Sequence, residues 1–262
     1  MTAEPVPIAA GRAAPVRIAM WSGPRNISTA MMRAWENRPD TAVVDEPFYA
    51  YFLAATGLDH PAREAVIASQ PTDWREVVAG LLGPVPGGRP VFYQKHMTHH
   101  VLPGMGLDWL AGVTNCFLIR HPREMVASYV ETRSEPTLED LGYVQQADLF
   151  ARVADRLGEA PPVLDAKDVL ADPAGMLAAL CERVGVPFTR AMLSWPSGRR
   201  PTDGVWAPHW YASVERSTGF MPYRPSSKPV PEALESLVEQ SVAHYEGLWK
   251  YRIQSTPMSG GD

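Results

Sequence analysis

The segment Ser-Gly-Pro-Arg-Asn-Ile-Ser-Thr at 22–29 carries side chains suited to binding an anion. It follows the apolar run VRIAMW, which is typical of a buried strand, and it leads into STAMMRAWE, which is typical of a helix. A helix N-terminus offers free backbone N–H groups and the positive end of the helix dipole. The pattern predicts an anion-binding loop whose members are Gly23, Pro24, Arg25, Asn26, Ile27, Ser28 and Thr29.

The loop differs from the nucleotide-binding loop of P-loop kinases and nucleotide hydrolases. Those proteins follow the pattern GxxxxGK[ST], in which the lysine and a metal ion hold the γ-phosphate. No lysine precedes Ser28 and Thr29 here. This favours an anion site that works without a metal ion. Taken alone, the loop is equally compatible with a simple helix start capped by Ser28.

An arginine and a serine further along the chain are spaced to hold one phosphate. Arg120 follows the apolar residues FLI and therefore emerges at the end of a strand. Pro122 is typical of the first position of a helix. Ser128 then lies about two helical turns further on, roughly 9–12 Å along the axis. A strand-end arginine and a hydroxyl on the next helix can hold a phosphate from two sides.

Two other strand-end residues are candidates for accepting a proton. Glu46 follows the strand TAVVD, and His96 follows the strand VFYQK. The unperturbed pKa of histidine suits proton abstraction near neutral pH, so His96 is slightly preferred and Glu46 is kept as the alternative. Arg25, assisted by Lys95 at the same strand end as His96, is the candidate for stabilising negative charge on a leaving group.

Short apolar strands alternate with helices along the chain. Strands are predicted at 16–21, 41–45, 91–95, 114–120 and 162–166. Helices are predicted at 28–36, 62–69, 73–82, 102–111, from 122 onward, within 137–158, and at 174–184 and 231–251. Alternation of this kind implies parallel strands joined by right-handed crossovers. We therefore predict an α/β fold of three layers, α/β/α, with a central, mainly parallel sheet and a P-loop-like first turn.

Ligands of such sheets bind beyond the carboxyl ends of the strands, where all the candidate residues above are expected to lie. The length suits one domain, which we place at 16–253. The Pro/Ala-rich residues 1–15 and the residues 254–262 are predicted to be flexible tails.

Composition excludes several classes of protein. The net charge of −5 argues against a general affinity for nucleic acid. No apolar stretch approaches the ~20 residues of a membrane span, and no signal peptide is recognisable. The two cysteines lie in apolar runs and are expected to be reduced, which indicates the cytoplasm. The histidines at 96, 99 and 100 have no carboxylate or cysteine at ligand spacing, so no metal site is predicted.

Taken together, these motifs resemble those of the PAPS-dependent sulfotransferases (PAPS is 3′-phosphoadenosine-5′-phosphosulfate). The loop at 24–29 is similar to that family's 5′-phosphosulfate loop, and Arg120 and Ser128 have the spacing of its 3′-phosphate pair. The segment Lys95-His96-Met97 loosely resembles a family motif that carries a catalytic histidine. The segment from Arg199 to Trp206 has the spacing of its last 3′-phosphate loop, which adds the donor-binding residues Arg199, Arg200 and Trp206.

The resemblance is strongest to the bacterial and plant branch with SGPRN-IST and DEP segments. It implies a sulfotransferase that moves a sulfuryl group from PAPS to a hydroxyl or amine of a small-molecule acceptor and releases PAP, the desulfated product. Ile27 and Pro201 stand where the family has glycines. The alternatives are a non-catalytic PAP-binding protein on the same scaffold and a kinase-like phosphotransferase. The acceptor and the oligomeric state, including a homodimer, stay open.

Overall fold

Five parallel strands form the centre of the molecule in a computed structural model that describes residues 14–130, 135–225 and 228–255. Most of the two predicted tails, at 1–13 and 256–262, lies outside the described residues. The strands are β1 (Val16–Ser22), β2 (Thr41–Asp45), β3 (Val91–Met97), β4 (Thr114–Ile119) and β5 (Val163–Asp165). Each predicted strand is present, and the largest difference at a strand end is two residues.

The strand order is β2-β3-β1-β4-β5, and every neighbouring pair is parallel. Ser22 at the end of β1 pairs with Met97 of β3 and with Leu118 of β4. The three central strands therefore end at nearly the same level. Residues that follow them meet at one edge of the sheet, as the sequence predicts.

Helices connect and cover the strands. The first six are α1 (Ser28–Glu36), α2 (Tyr49–Thr56), α3 (Arg63–Ser69), α4 (Trp74–Leu82), α5 (Pro122–Tyr129) and α6 (Leu138–Leu141). The other six within the described residues are α7 (Tyr143–Leu157), α8 (Ala166–Ala171), α9 (Pro173–Arg183), α10 (Ala207–Trp210), α11 (Ala212–Glu215) and α12 (Glu235–Trp249). Short 3₁₀ turns lie at Pro86–Gly88, Thr98–His100, Asp108–Gly112, Arg190–Leu193 and Glu232–Leu234.

Alternate residues of each strand face two separate cores. Ile18 and Met20 of β1 pack with residues of α1, α8 and α9, whereas Ala19 and Trp21 pack with residues of α4, α5, α7 and α12. This is the period of two expected of a strand covered on both faces. The predicted α/β/α layering is confirmed. A third, smaller cluster joins α2 and α3 to α10 beyond the strand ends.

Three local predictions were wrong. The predicted helix at 102–111 is mostly irregular, since Gly104 has a positive φ, and only the 3₁₀ turn at Asp108–Gly112 forms. The sequence reading missed α2, whose residues YAYFLAAT are apolar on nearly all sides and show no helical period. Ser28 is the first residue of α1 and not its cap; Ile27 holds the cap position without a side-chain hydrogen bond.

Among the described residues, no helix combines the length and the apolar character needed to cross a bilayer. The same residues contain no group of three or more His, Cys, Asp or Glu side chains arranged to hold a metal ion.

Candidate active site

A cavity of about 330 Å³ lies where the central strands end. Pockets for small ligands usually enclose roughly 300–1,000 Å³. The wall on one side consists of the loop from β1 into α1, at 24–30, together with side chains that follow β4. Residues at or beyond the ends of β2 and β3 and residues within 210–221 also line the cavity.

The loop between β1 and α1 has an unusual backbone. Arg25 and Ile27 have φ angles of 56° and 49°, in the left-handed region that residues other than glycine rarely adopt. Ile27 packs its side chain against the core beneath α1. An isoleucine thus takes a conformation usually reserved for glycine, and it is held there by the surrounding core.

Asn26 ties this loop to the sheet. Its buried Nδ2 donates a hydrogen bond to the backbone oxygen of Leu118 in β4 at 2.5 Å, and Gln146 of α7 donates to the same oxygen at 3.1 Å. Gly23 allows a close approach, because a Cβ there would lie 2.6 Å from the backbone oxygen of Leu141. Asn26 borders the cavity, whereas Gly23 does not, so we assign Gly23 to packing and not to ligand contact.

The two arginines and the serine predicted to bind phosphate lie in one cluster on the cavity wall. Arg25 donates from Nε to the Ser128 hydroxyl at 3.1 Å, and Arg120 donates from Nη1 to the backbone oxygen of Arg25 at 2.7 Å. Glu124 accepts from Arg120 Nε at 3.2 Å, and Tyr143 fixes the Arg120 backbone by donating to its oxygen at 2.7 Å. Ser28 and Thr29 border the same cavity.

The segment predicted as the last phosphate loop does not reach the cavity. Arg199 is exposed, and Trp206 is buried with its Nε1 donating to the Tyr211 hydroxyl at 3.1 Å. The backbone N–H of Arg200 donates to Asp203 at 2.8 Å. Asp203 forms an ion pair at 2.6 Å with Arg33 of α1, which holds this segment against that helix. Arg199, Arg200 and Trp206 therefore do not border this cavity, and their role in donor binding stays a prediction.

Lys95 is the centre of a buried network of charges. Its Nζ lies 2.8 Å from Asp45 Oδ1, 2.6 Å from Glu46 Oε1 and 2.6 Å from the Tyr211 hydroxyl. Burial lowers the pKa of Lys95, but the charges of Asp45 and Glu46 outweigh burial, so its pKa lies well above its usual value. Lys95 is a permanently charged group that holds two carboxylates, which makes it a positioning residue.

Glu46 presents a carboxyl group to the cavity from a strained position. Its φ is 42°, and its backbone N–H continues the sheet ladder by donating to the backbone oxygen of Lys95 at 2.9 Å. Burial raises the pKa of Glu46, and the positive charge of Lys95 opposes this rise only in part. A carboxyl group with a raised pKa is a suitable general base.

His96 points away from the cavity, which corrects its choice as first candidate for the base. Successive residues of a strand face opposite sides, so His96 faces the core when Lys95 faces the cavity. The His96 ring is stacked on Trp21 at a centroid distance of 4.4 Å and also packs against Phe48 and Trp109. Burial lowers the pKa of His96 to about 3. It is a core residue.

Sequence patterns indicated no role for three histidines on the cavity wall, His60, His99 and His100. The Tyr49 hydroxyl lies 2.9 Å from Nδ1 of His60, and the Tyr49 ring is stacked on His100 at 4.8 Å. The available signal for this part of the cavity was the segment Asp45-Glu46-Pro47 before α2. Tyr49, the first residue of α2, follows Glu46 and Phe48 closely on the chain. Trp210 also borders the cavity.

One sequence family matches nearly the whole chain. The profile of the family described as "Sulfotransferase domain" covers residues 16–251. A solved "Sulfotransferase from Alicyclobacillus acidocaldarius" covers 92% of this chain and 98% of its own, with a TM-score of 0.55 and 14% identity. A likeness at that identity concerns the fold alone.

Two curated relatives come from Arabidopsis thaliana. "Branched-chain-amino-acid aminotransferase-like protein 1" is 35% identical over 236 residues, which are 90% of this chain and 42% of that protein. "Branched-chain-amino-acid aminotransferase-like protein 2" is 31% identical over 228 residues, which are 87% of this chain and 40% of that protein. This chain thus spans about two fifths of the length of the curated relatives it matches. On the extent of the profile match, the chain belongs to the sulfotransferase domain family.

Proposed function

We propose that this protein transfers a sulfuryl group from PAPS to a hydroxyl or amine of a small-molecule acceptor. The observation that carries the proposal is the meeting of Arg25, Arg120 and Ser128 in one cluster on the wall of a cavity that Glu46 and Lys95 also border. A cationic cluster and a buried carboxyl group that border the same cavity combine an anion site with a base in one small space.

The donor's two charged ends suit the two parts of the cationic wall. The start of α1, with Ser28, Thr29 and Arg25, would hold the 5′-phosphosulfate through N–H groups, hydroxyls and charge. Arg120 and Ser128 would hold the 3′-phosphate. Partly buried, fixed donors of this kind stabilise an anion more strongly than groups in water, because they need little reorganisation when the ligand binds.

The proposed chemistry is in-line transfer, in which positioning and charge do most of the work. Glu46 would take the proton of the attacking hydroxyl or amine. Arg25 would offset the negative charge that develops on the leaving phosphate oxygen. Lys95 would keep the Glu46 carboxylate in place through the contact at 2.6 Å.

An aminotransferase reading, which the names of the relatives suggest, has no support at this site. Aminotransfer on a pyridoxal cofactor needs a lysine amine that can form a Schiff base. Among the described residues that border the cavity, Lys95 is the one lysine, and its Nζ is held by Asp45, Glu46 and Tyr211.

Calorimetry with PAP in buffer that contains EDTA tests the donor half of the proposal. PAP should bind without a divalent metal ion, whereas a kinase-like protein would need one. Transfer of ³⁵S from labelled PAPS to a panel of alcohols, phenols and amines tests the acceptor half, with products identified by mass spectrometry. PAP binding without transfer to any acceptor would favour the non-catalytic alternative.

The matched variants for this assay are Glu46→Gln and Glu182→Gln. Glu182 is exposed on α9 and does not border the cavity, so its variant should behave as the wild type does. Glu46→Gln should reduce turnover by about 100-fold or more while PAP still binds. Unchanged turnover in Glu46→Gln would remove Glu46 as the base.

A further inference from the structure

His100 is a buried histidine on the cavity wall whose ring nitrogens have no hydrogen-bond partner among the described residues. It is 1% exposed and lies in the 3₁₀ turn that follows β3. The rings of Tyr49 and Phe52 are stacked on it, each at a centroid distance of 4.8 Å. Buried polar atoms nearly always find a partner. Two unsatisfied nitrogens beside a cavity point to a partner that enters the cavity.

His100 is uncharged near neutral pH. Burial lowers its pKa well below the usual value, and the neighbouring His99 and His60 lower the pKa further. A neutral imidazole has one N–H donor and one bare nitrogen that accepts. Its best partner is therefore an uncharged group that both donates and accepts, such as a hydroxyl or a carboxamide.

An anionic group would find no suitable partner at this end of the cavity. Among the described cavity-lining residues, the fixed positive charges are those of Arg25, Arg120 and Lys95. The two arginines belong to the proposed donor site, and Lys95 is held by two carboxylates. One of those carboxylates, Glu46, borders the cavity and would repel an acceptor that carries a carboxylate.

The remaining surface at this end favours a flat molecule. Tyr49 and Trp210, which share one hydrophobic cluster with Phe52, border the cavity with aromatic rings. Aromatic side chains pack well against the faces and edges of other rings. We infer, on the basis of the proposed function, that His100 is an acceptor-binding residue and that the acceptor is a ring compound with a second, uncharged hydrogen-bonding group besides the one that is sulfated.

Three phenols of similar size test the separate features expected of the acceptor. They are 4-hydroxybenzamide, which has an uncharged hydrogen-bonding group, 4-hydroxybenzoate, which has a carboxylate, and 4-ethylphenol, which has neither. Binding of each is measured by calorimetry with and without saturating PAP, so that no turnover is needed. The benzamide should bind about tenfold or more tightly than the benzoate, because only the benzamide avoids an unpaired charge.

The matched variants are His100→Phe, which keeps a stacked ring and removes both nitrogens, and His244→Phe on α12, which does not border the cavity. His100→Phe should weaken the binding of 4-hydroxybenzamide by about tenfold and leave the affinity for 4-ethylphenol unchanged. His100→Gln, which restores a donor and an acceptor, should recover part of the lost affinity. His244→Phe should bind all three phenols as the wild type does.

The outcomes separate this inference from the proposed function. Unchanged benzamide affinity in His100→Phe would show that water satisfies the ring nitrogens and would overturn the inference. Equal or tighter binding of the benzoate, or no binding of any of the three phenols, would also overturn it. Failure of PAP to bind would instead contradict the proposed function, and the titrations without PAP would still decide the role of His100.

Discussion

Arg120 donates a hydrogen bond to the backbone oxygen of Arg25 at 2.7 Å. The guanidinium at the end of β4 therefore fixes the loop that follows β1, although 95 residues separate the two on the chain. Because Arg25 in turn contacts Ser128 of α5, neighbouring strands and their helices form one cationic surface. The site thus depends on the parallel order of the sheet as much as on any single residue.

Replacing Arg120 with alanine should weaken PAP binding by about 2–4 kcal/mol, or roughly 30- to 1,000-fold in Kd, because charge-assisted hydrogen bonds to a phosphate are lost. Calorimetry measures the change. Arg123→Ala is the matched control, since Arg123 lies close by at the start of α5, but its side chain is 53% exposed and pairs with Glu235. If Arg120→Ala binds PAP as the wild type does, the donor-site assignment is wrong.

His96→Phe should keep most of the turnover of the wild type. The phenyl ring can occupy the same aromatic surroundings, and the substitution removes only the contact of 3.2 Å with Gln94. Loss of a general base costs about 10²–10⁴-fold in rate. Steady-state kinetics therefore separate the two roles, and a loss of that size in a folded His96→Phe protein would restore His96 as the base.

Lys95→Met and Asp45→Asn should move the pH dependence of turnover in opposite directions. Glu46 accepts a proton only when ionised, so activity falls as the pH drops through its pKa. The charge of Lys95 lowers the pKa of Glu46 and that of Asp45 raises it. The acid limb of the kcat/KM profile should therefore shift to higher pH in Lys95→Met and to lower pH in Asp45→Asn. Shifts of the same sign would contradict this account of the network.

Asp203→Ala should destabilise the fold by about 3 kcal/mol, since it removes the closer ion pair of the buried Arg33 and leaves Glu36, at 3.3 Å, as its remaining carboxylate partner. The side chains of Arg33 and Asp203 are 1% and 0% exposed. Denaturant unfolding followed by fluorescence gives the change in the free energy of unfolding. The exposed pair of Arg123 and Glu235 is the matched comparison, and Glu235→Ala should show no measurable loss. If both variants had a similar free energy of unfolding, the ion pair of Arg33 and Asp203 would not stabilise the fold as expected.

Most of the sheet could be predicted because its strands are short apolar runs that end in turn residues. Because the ends of the strands could be predicted, the place where Arg25, Arg120 and Glu46 would meet could be predicted as well. The error at His96 was avoidable: Lys95 and His96 are adjacent on one strand, so only one of them can face the cavity. The alternation of side chains between the two faces of a strand already contained that information.

Other parts of the site could not be read from the sequence. Tyr211 lies 116 residues beyond Lys95, and nothing local shows that its hydroxyl closes the charge network. His100 follows its strand by a 3₁₀ turn, and its exposure to the cavity depends on how α2 packs over the strand ends. The segment at 199–206 has the expected spacing, but the buried pairing of Asp203 with Arg33 directs it elsewhere.

Arg25, Ile27 and Glu46 all border the cavity with left-handed backbones, and each such residue costs about 1–2 kcal/mol. Selection of a mutant library for heat resistance should therefore enrich glycine or asparagine at Arg25, whereas the core packing of Ile27 and the ion pair of Glu46 with the buried Lys95 oppose such replacements there. Such survivors would be more robust proteins with slower turnover. A gain in durability at such a residue would therefore come with a loss of activity.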